Sequence, residues 1–172
     1  MNWPAACSKV SRKQNLPQAD TQQFGPVEYA LEDVIAFPLG LPGFEEERSF
    51  LLITPSGAKP LVFLQSLGRS ELCFVTLPLE VVDPSYQLSV SVEDCEVLAL
   101  AGQTPSAVGL DSVQWDERQT RCLAIISLTE SRPTANLLAP LVINLVDRRG
   151  VQAIRLDSRY SHQHPVEALV CS

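Results

Sequence analysis

The chain is a succession of short apolar runs, rich in Val, Ile, Leu and Phe, set apart by Pro, Gly, Asp and Ser. Nine of these runs read as strands: Val27–Tyr29, Val34–Phe37, Phe50–Ile53, Leu61–Leu64, Cys73–Leu77, Gln87–Val92, Arg121–Thr129, Leu141–Val146 and Val151–Leu156. Gln87 to Val92 alternates strictly. Leu88, Val90 and Val92 fall on one side, with Gln87, Ser89 and Ser91 on the other, the period of a half-buried strand. Asp147-Arg148-Arg149-Gly150 lies between two apolar runs and predicts a hairpin turn, with Gly150 supplying a positive φ. Short strands with frequent turn signals predict a mainly antiparallel β structure, either a barrel or a sandwich.

Helix signals are few. Ser91-Val92-Glu93-Asp94 has the form of a capping box, opening a short helix through Leu100 with Val97, Leu98 and Ala101 on the core side and Gly102 ending it. The opening residues have no sustained period and contain two prolines. Residues 1–21 therefore read as a poorly ordered N-terminal extension, with Trp3 its one candidate for docking, and residues 22–168 as a single domain.

With 172 residues, 45% of them hydrophobic and 19% charged, the chain is long enough and apolar enough for one self-sufficient core. No apolar run approaches the ~18 residues of a membrane span. Lys9, Arg12 and Lys13 are followed by polar Gln14 and Asn15, where a signal peptide needs an apolar stretch. A cytoplasmic protein is the expectation. The charge is unevenly placed. Residues 71–117 hold nine acids and no Lys or Arg, within a net charge of −7. Nucleic-acid binders carry a basic footprint to neutralise phosphates. Direct nucleic-acid binding is therefore not expected, whereas a basic protein partner is admitted. Charge alone favours the plainer explanation, an acidic face that keeps the protein soluble.

Five cysteines at positions 7, 73, 95, 122 and 171 never come closer than 22 residues and are odd in number, which fits reduced thiols rather than a disulfide or zinc framework. Cys73 and Cys122 sit inside apolar runs as small hydrophobes. His162 and His164 are the only histidines, too few for a metal site without distant ligands. The chain has no nucleophile elbow, phosphate loop or dinucleotide fingerprint. Neither an enzyme, a cofactor nor a metal is expected.

Two stretches stand apart from generic core. Phe37-Pro38-Leu39-Gly40-Leu41-Pro42-Gly43-Phe44-Glu45 specifies a defined bend, since proline fixes φ and glycine frees it, with Phe37 and Phe44 able to anchor its ends. In Thr134-Ala135-Asn136-Leu137-Leu138-Ala139-Pro140-Leu141-Val142-Ile143-Asn144, the small Ala135 and Ala139 allow close backbone approach. Asn136 and Asn144 can bond backbone groups left unpaired by an irregular chain.

At these stretches the sequence resembles the flagellar assembly factor FliW family. Phe24-Gly25-Pro26-Val27-Glu28, Phe37 and Gly40-Leu41-Pro42-Gly43-Phe44 are similar to the family's opening, and Pro60-Leu61-Val62-Phe63-Leu64-Gln65-Ser66-Leu67 to its central strand. Thr134 to Pro140, Arg148-Arg149-Gly150, Ser158-Arg159-Tyr160-Ser161 and His164-Pro165 resemble its end. The matches come in family order over about residues 22–168. The resemblance implies a small antiparallel β-barrel-like domain with one or two short helices, no cofactor and no catalysis. It also implies two cytoplasmic partners: flagellin, and CsrA, the small RNA-binding repressor of flagellin translation, which the factor captures when flagellin is depleted. A monomer is expected when the protein is free. The N-terminal extension and Gln163, where a basic residue is expected, depart from the family pattern.

Because a CsrA-type repressor carries basic surface, the acid-only block is a candidate docking face, through Glu80, Asp83, Glu93, Asp94 and Glu96. Phe44, Gln65 and Asn136 are further candidates for partner contact. Two alternatives stay open: an export chaperone for flagellin alone, and a barrel holding a small apolar ligand.

Overall fold

The structure, a computed structural model, describes residues 16–100, 118–128, 132–154 and 159–167. Trp3, Ala101 and Gly102 lie outside them. Its elements are β1 (Gln18–Thr21), β2 (Gly25–Glu28), β3 (Ile35–Ala36), β4 (Ser49–Ile53), β5 (Val62–Ser66), β6 (Cys73–Pro78), α1 (Leu79–Val82), α2 (Val92–Val97), β7 (Thr120–Leu128), β8 (Pro133–Asn144), β9 (Arg149–Gln152) and β10 (His164–Pro165), with a 3-10 turn at Leu31–Asp33.

Seven strands close into a barrel in the order β8-β7-β6-β5-β4-β3-β9, with β9 returning to β8. An odd number of strands cannot alternate direction all the way round a ring. The one parallel seam is β3 against β9, where Ala36 faces Arg149. β10 extends the sheet outside the ring along the first half of β8, and β1–β2 forms a separate hairpin.

Alternation along the strands divides the apolar residues between the inside and the outside of this ring. One core gathers Ile35, Phe37, Leu41, Phe50, Val62, Leu64, Leu123, Leu141 and Ile143, packed with Phe44, Phe74 and Ile125. Phe37 meets Phe50 edge to face at 5.2 Å, and Phe44 meets Phe74 likewise at 5.4 Å. Both ends of the Phe37–Phe44 bend are therefore anchored in the core, as its sequence predicts. These side chains pack together inside the ring, as in other small barrels.

The segment after β6 covers the outer surface. Leu79 and Val82 of α1 pack with Leu77, Ala124, Ile126, Ala135, Leu137 and Val166. Farther on, Val90, Cys95, Leu98 and Leu100 pack on Val142, Val151 and Ala153. Leu88 and Cys122 border both clusters, so the two outer cores adjoin.

Four expectations are corrected. Gln87–Val92 is not a strand: Leu88 and Val90 do turn inward, but the segment crosses outside the barrel with no ladder. Its Gln87 amide donates to the Tyr160 hydroxyl (2.9 Å), and Val92 begins α2. β8 starts at Pro133, eight residues before the expected Leu141, because a bulge opposite Leu123–Ile125 lets an irregular, proline-bearing stretch remain in the sheet. Arg148, not Gly150, takes the positive φ of the hairpin turn, at 54°. Gly150 is required for a different reason, since a Cβ there would enter the Phe37 ring. Finally, Gln18–Thr21, placed in the N-terminal extension by the sequence reading, is a strand pairing Gly25–Glu28, with Ala19 and Thr21 buried.

Candidate partner-binding surface

The sequence-nominated residues fall in three separate places. Glu80 and Asp83 belong to α1 and its C-terminal cap, and line an external groove of about 340 Å³ together with Tyr86, Leu88, Arg121 and Cys122. Asp83 accepts from both the Ser85 hydroxyl (2.6 Å) and the Ser85 amide (2.9 Å). The hydroxyl bond first, with the amide and His164 adding, holds this carboxyl below its ordinary range. The Cys122 thiol is pushed up to about 12, chiefly by burial, with Glu80 adding and Arg121 opposing. Burial likewise raises the thiols of Cys73 and Cys95. None of the three has the electropositive setting of a reactive cysteine.

Glu93, Asp94 and Glu96 belong to α2. Ser91 caps this helix by accepting from the Asp94 amide at 3.0 Å, as the sequence predicts. The helix is shorter than expected, because Ala99 adopts φ 57° after the Leu98 cap. Cys95 and Leu98 turn into the outer core, which leaves Glu93 and Glu96 exposed on the opposite side.

Phe44, Gln65 and Asn136 have structural work. Phe44 is half-buried against Phe74. Gln65 is fully buried, so it offers no surface to a partner. Its Nε2 faces the carbonyls of Ser66, Arg69, Ser70 and Leu72 at 3.0–3.3 Å and pins the β5–β6 turn. Ser66 completes that turn, donating to Glu47 (2.6 Å) and accepting from the Gly68 and Arg69 amides. Asn136 Oδ1 accepts from the Leu138 (3.1 Å) and Ala139 (3.0 Å) amides across the β8 bulge. Asn144 Oδ1 does the same for Val146 and Asp147, while its Nδ2 donates to the Leu98 carbonyl and ties α2 to the barrel.

A second external groove, also about 340 Å³, joins three parts that the sequence reading treated separately: the Leu39–Glu45 bend, the start of α2 at Ser91 and Asp94, and Val151, Gln152 and Ile154 of β9 and its exit. Leu39 and Ile154 are 62% and 60% exposed. The bend is closed by Gly40, at φ +69°, where a Cβ would stand 2.5 Å from Glu45 Cα. Glu45 Oε1 accepts from the Gly43 amide at 2.8 Å, and that bond holds its carboxyl below the ordinary range. The exposure of Leu39 and Ile154 is not legible in the sequence, because an exposed apolar side chain in a bend or after a strand looks like a buried one. The only signal was the unusual composition of the bend itself.

The likeness to known proteins is extensive. A family model described as FliW protein matches residues 18–166. The flagellar assembly factor FliW of Syntrophomonas wolfei is 34% identical over 142 residues, covering 83% of each chain. That of Bacillus subtilis is 28% identical over 153 residues, covering 88% of this chain and 97% of its own. A crystal structure of the flagellar assembly factor FliW superposes with a TM-score of 0.73 at 28% identity, over 87% of this chain and 96% of that one. From the Gln18 strand to Val166, through the barrel, the bend and the bulged β8, the chain belongs to the FliW family.

Proposed function

We propose that this protein is a flagellar assembly factor that works by binding other proteins: flagellin in the cytoplasm, and a CsrA-type translational repressor when flagellin is depleted. The observation that carries the reading is the ordered family match across the whole barrel, from 18 to 166. The physical chemistry agrees with it. Apolar side chains pack together inside the barrel, and α2 offers exposed acids to a partner whose RNA-binding surface must be basic. The reading includes no catalysis, cofactor or metal.

Titration calorimetry tests it, with the purified protein against flagellin and against CsrA, at low and at physiological salt. The expected result is binding to both, with flagellin displacing the repressor. Binding to flagellin alone would reduce the role to an export chaperone, and binding to neither would overturn it.

A further inference from the structure

The groove between the Leu39–Glu45 bend, α2 and the β9 exit combines exposed apolar side chains with a one-signed charge. Leu39, Pro42, Val151 and Ile154 supply the apolar lining, and Glu45 and Asp94 the acids. None of its described lining residues is basic. Among the described residues, Arg48 donates to the Glu45 carbonyl (3.4 Å) and Arg149 to the Val97 carbonyl (3.3 Å), while Arg155, next after Ile154, lies outside the described residues. Two further external grooves among the described residues lack this pairing, since Arg121 lines the one at Glu80 and Asp83, and His164 the one beside β10.

The chain itself contains a segment of complementary chemistry. Residues 1–15 lie outside the described residues and before the start of the family match at 18. They carry Lys9, Arg12 and Lys13, no acid, and the aromatic Trp3. Fifteen residues reach up to about 50 Å when extended, whereas a domain of this size has a radius of gyration of about 15 Å. Lys9, Arg12 and Lys13, three to seven residues before Leu16, extend about 10–25 Å from it at most, and Trp3 about 43 Å. We propose that the basic N-terminal segment docks intramolecularly in this groove, with its cations against Glu45, Asp94 and the neighbouring α2 acids and Trp3 on the Leu39–Ile154 apolar patch.

Tethering gives such a contact an effective concentration in the millimolar range, so even weak intrinsic affinity fills the groove part of the time. The docking does not depend on the identity of any partner. Its consequence rests on the partner reading above: a basic protein using the α2 acids must first displace the segment, and its apparent affinity is lowered by that occupancy.

The segment contains Cys7, which allows a direct test on the full chain. With Cys73→Ser, Cys122→Ala and Cys171→Ser, a nitroxide is placed on Cys7 and paramagnetic broadening of leucine and isoleucine methyl signals is read. Docking predicts that Leu39 and Ile154 lose more than half their intensity while exposed Leu128 does not. The effect is expected to vanish in 0.5 M NaCl and in a Lys9→Glu, Arg12→Glu, Lys13→Glu variant. Uniform broadening, or broadening centred on Leu79 and Leu88 beside Glu80 and Asp83, overturns the proposal. So does broadening that appears only between labelled and unlabelled molecules, which would assign the groove to a second copy. Because no partner is present, this result is independent of the calorimetry.

Discussion

Gly40 and Gly43 stand three positions apart in one bend, both with positive φ, yet the structure separates them. At Gly43 a Cβ would meet nothing within 4 Å, whereas at Gly40 it would collide with the Glu45 backbone. Gly43→Ala then carries only the left-handed strain of an L-residue, about 1–2 kcal/mol. Gly40→Ala adds a backbone clash that no rotamer relieves, and should cost at least about 3 kcal/mol. At roughly 2–4 °C per kcal/mol for a chain of this length, thermal melts should rank Gly40→Ala well below Gly43→Ala, and an equal loss would contradict the geometry. A second residue-scale consequence concerns pH. The Cys122 thiol lies at about 12 in the folded chain, against 9.0 for its ordinary value. Above pH 9 the unfolded thiol releases its proton while the folded one retains it, so Cys122 contributes stability that is lost as pH rises from 9 towards 12. The slope approaches about 1.4 kcal/mol per pH unit. Denaturant titrations of the wild type and Cys122→Ala should converge as pH rises through this window, because the variant lacks that term. Sequence showed that a thiol in Cys122-Leu123-Ala124 would be buried. It did not show the need for Gly150, because Phe37, whose ring occupies that space, is distant in the chain.

Among the elements, β8 shows what a pattern of residue types reveals and where it stops. Thr134 to Leu137 alternates, with Ala135 and Leu137 buried, on a stretch that also holds Pro133 and Pro140, poor residues for a sheet ladder. The bulge reconciles them: Ile125 faces Asn136 and Leu123 faces Leu141, which leaves the residues between out of register, and Asn136 satisfies two of their amides. Asn136→Ala leaves both donors without that acceptor and should lower stability by about 1–3 kcal/mol. Asn136→Asp retains an oxygen in place and should recover most of the loss. If alanine leaves the melting temperature unchanged, or if aspartate fails as badly as alanine, the capping role is wrong. Gln87–Val92 errs in the opposite direction. Its period of two correctly reported an extended chain with one face inward, but alternation carries no information about whether a neighbouring strand edge is free. Here the extended chain lies across the outside of a closed barrel and pairs with none.

At the scale of the molecule, ring closure determines which parts of the chain stay on the outside. Closure of β9 on β8 leaves the barrel no free edge of its own, and the segment after β6 wraps its outside. Along that wrapping segment the acids emerge because Leu79, Cys95 and Leu98 turn inward, and this links the acid-only block in the sequence to an acidic surface on α2. The block was legible from charge counting. Its division into a mixed groove containing Arg121 and one at Asp94 with no base among its described lining residues was not, because Arg121 arrives from β7. If α2 steers a basic repressor, reversing exposed charge there should act on the association rate, which long-range attraction raises by about 10–10³-fold at low ionic strength. Glu93→Lys with Glu96→Lys is expected to slow association about tenfold at low salt. The difference from wild type should shrink at physiological salt, where the Debye length is about 8 Å. Glu28→Lys, an exposed change on the β1–β2 hairpin, supplies the control. Stopped-flow rates against CsrA that fall equally for both variants would attribute the effect to net charge rather than to α2. Rates that do not fall for the α2 pair would remove the acidic helix from the interface altogether.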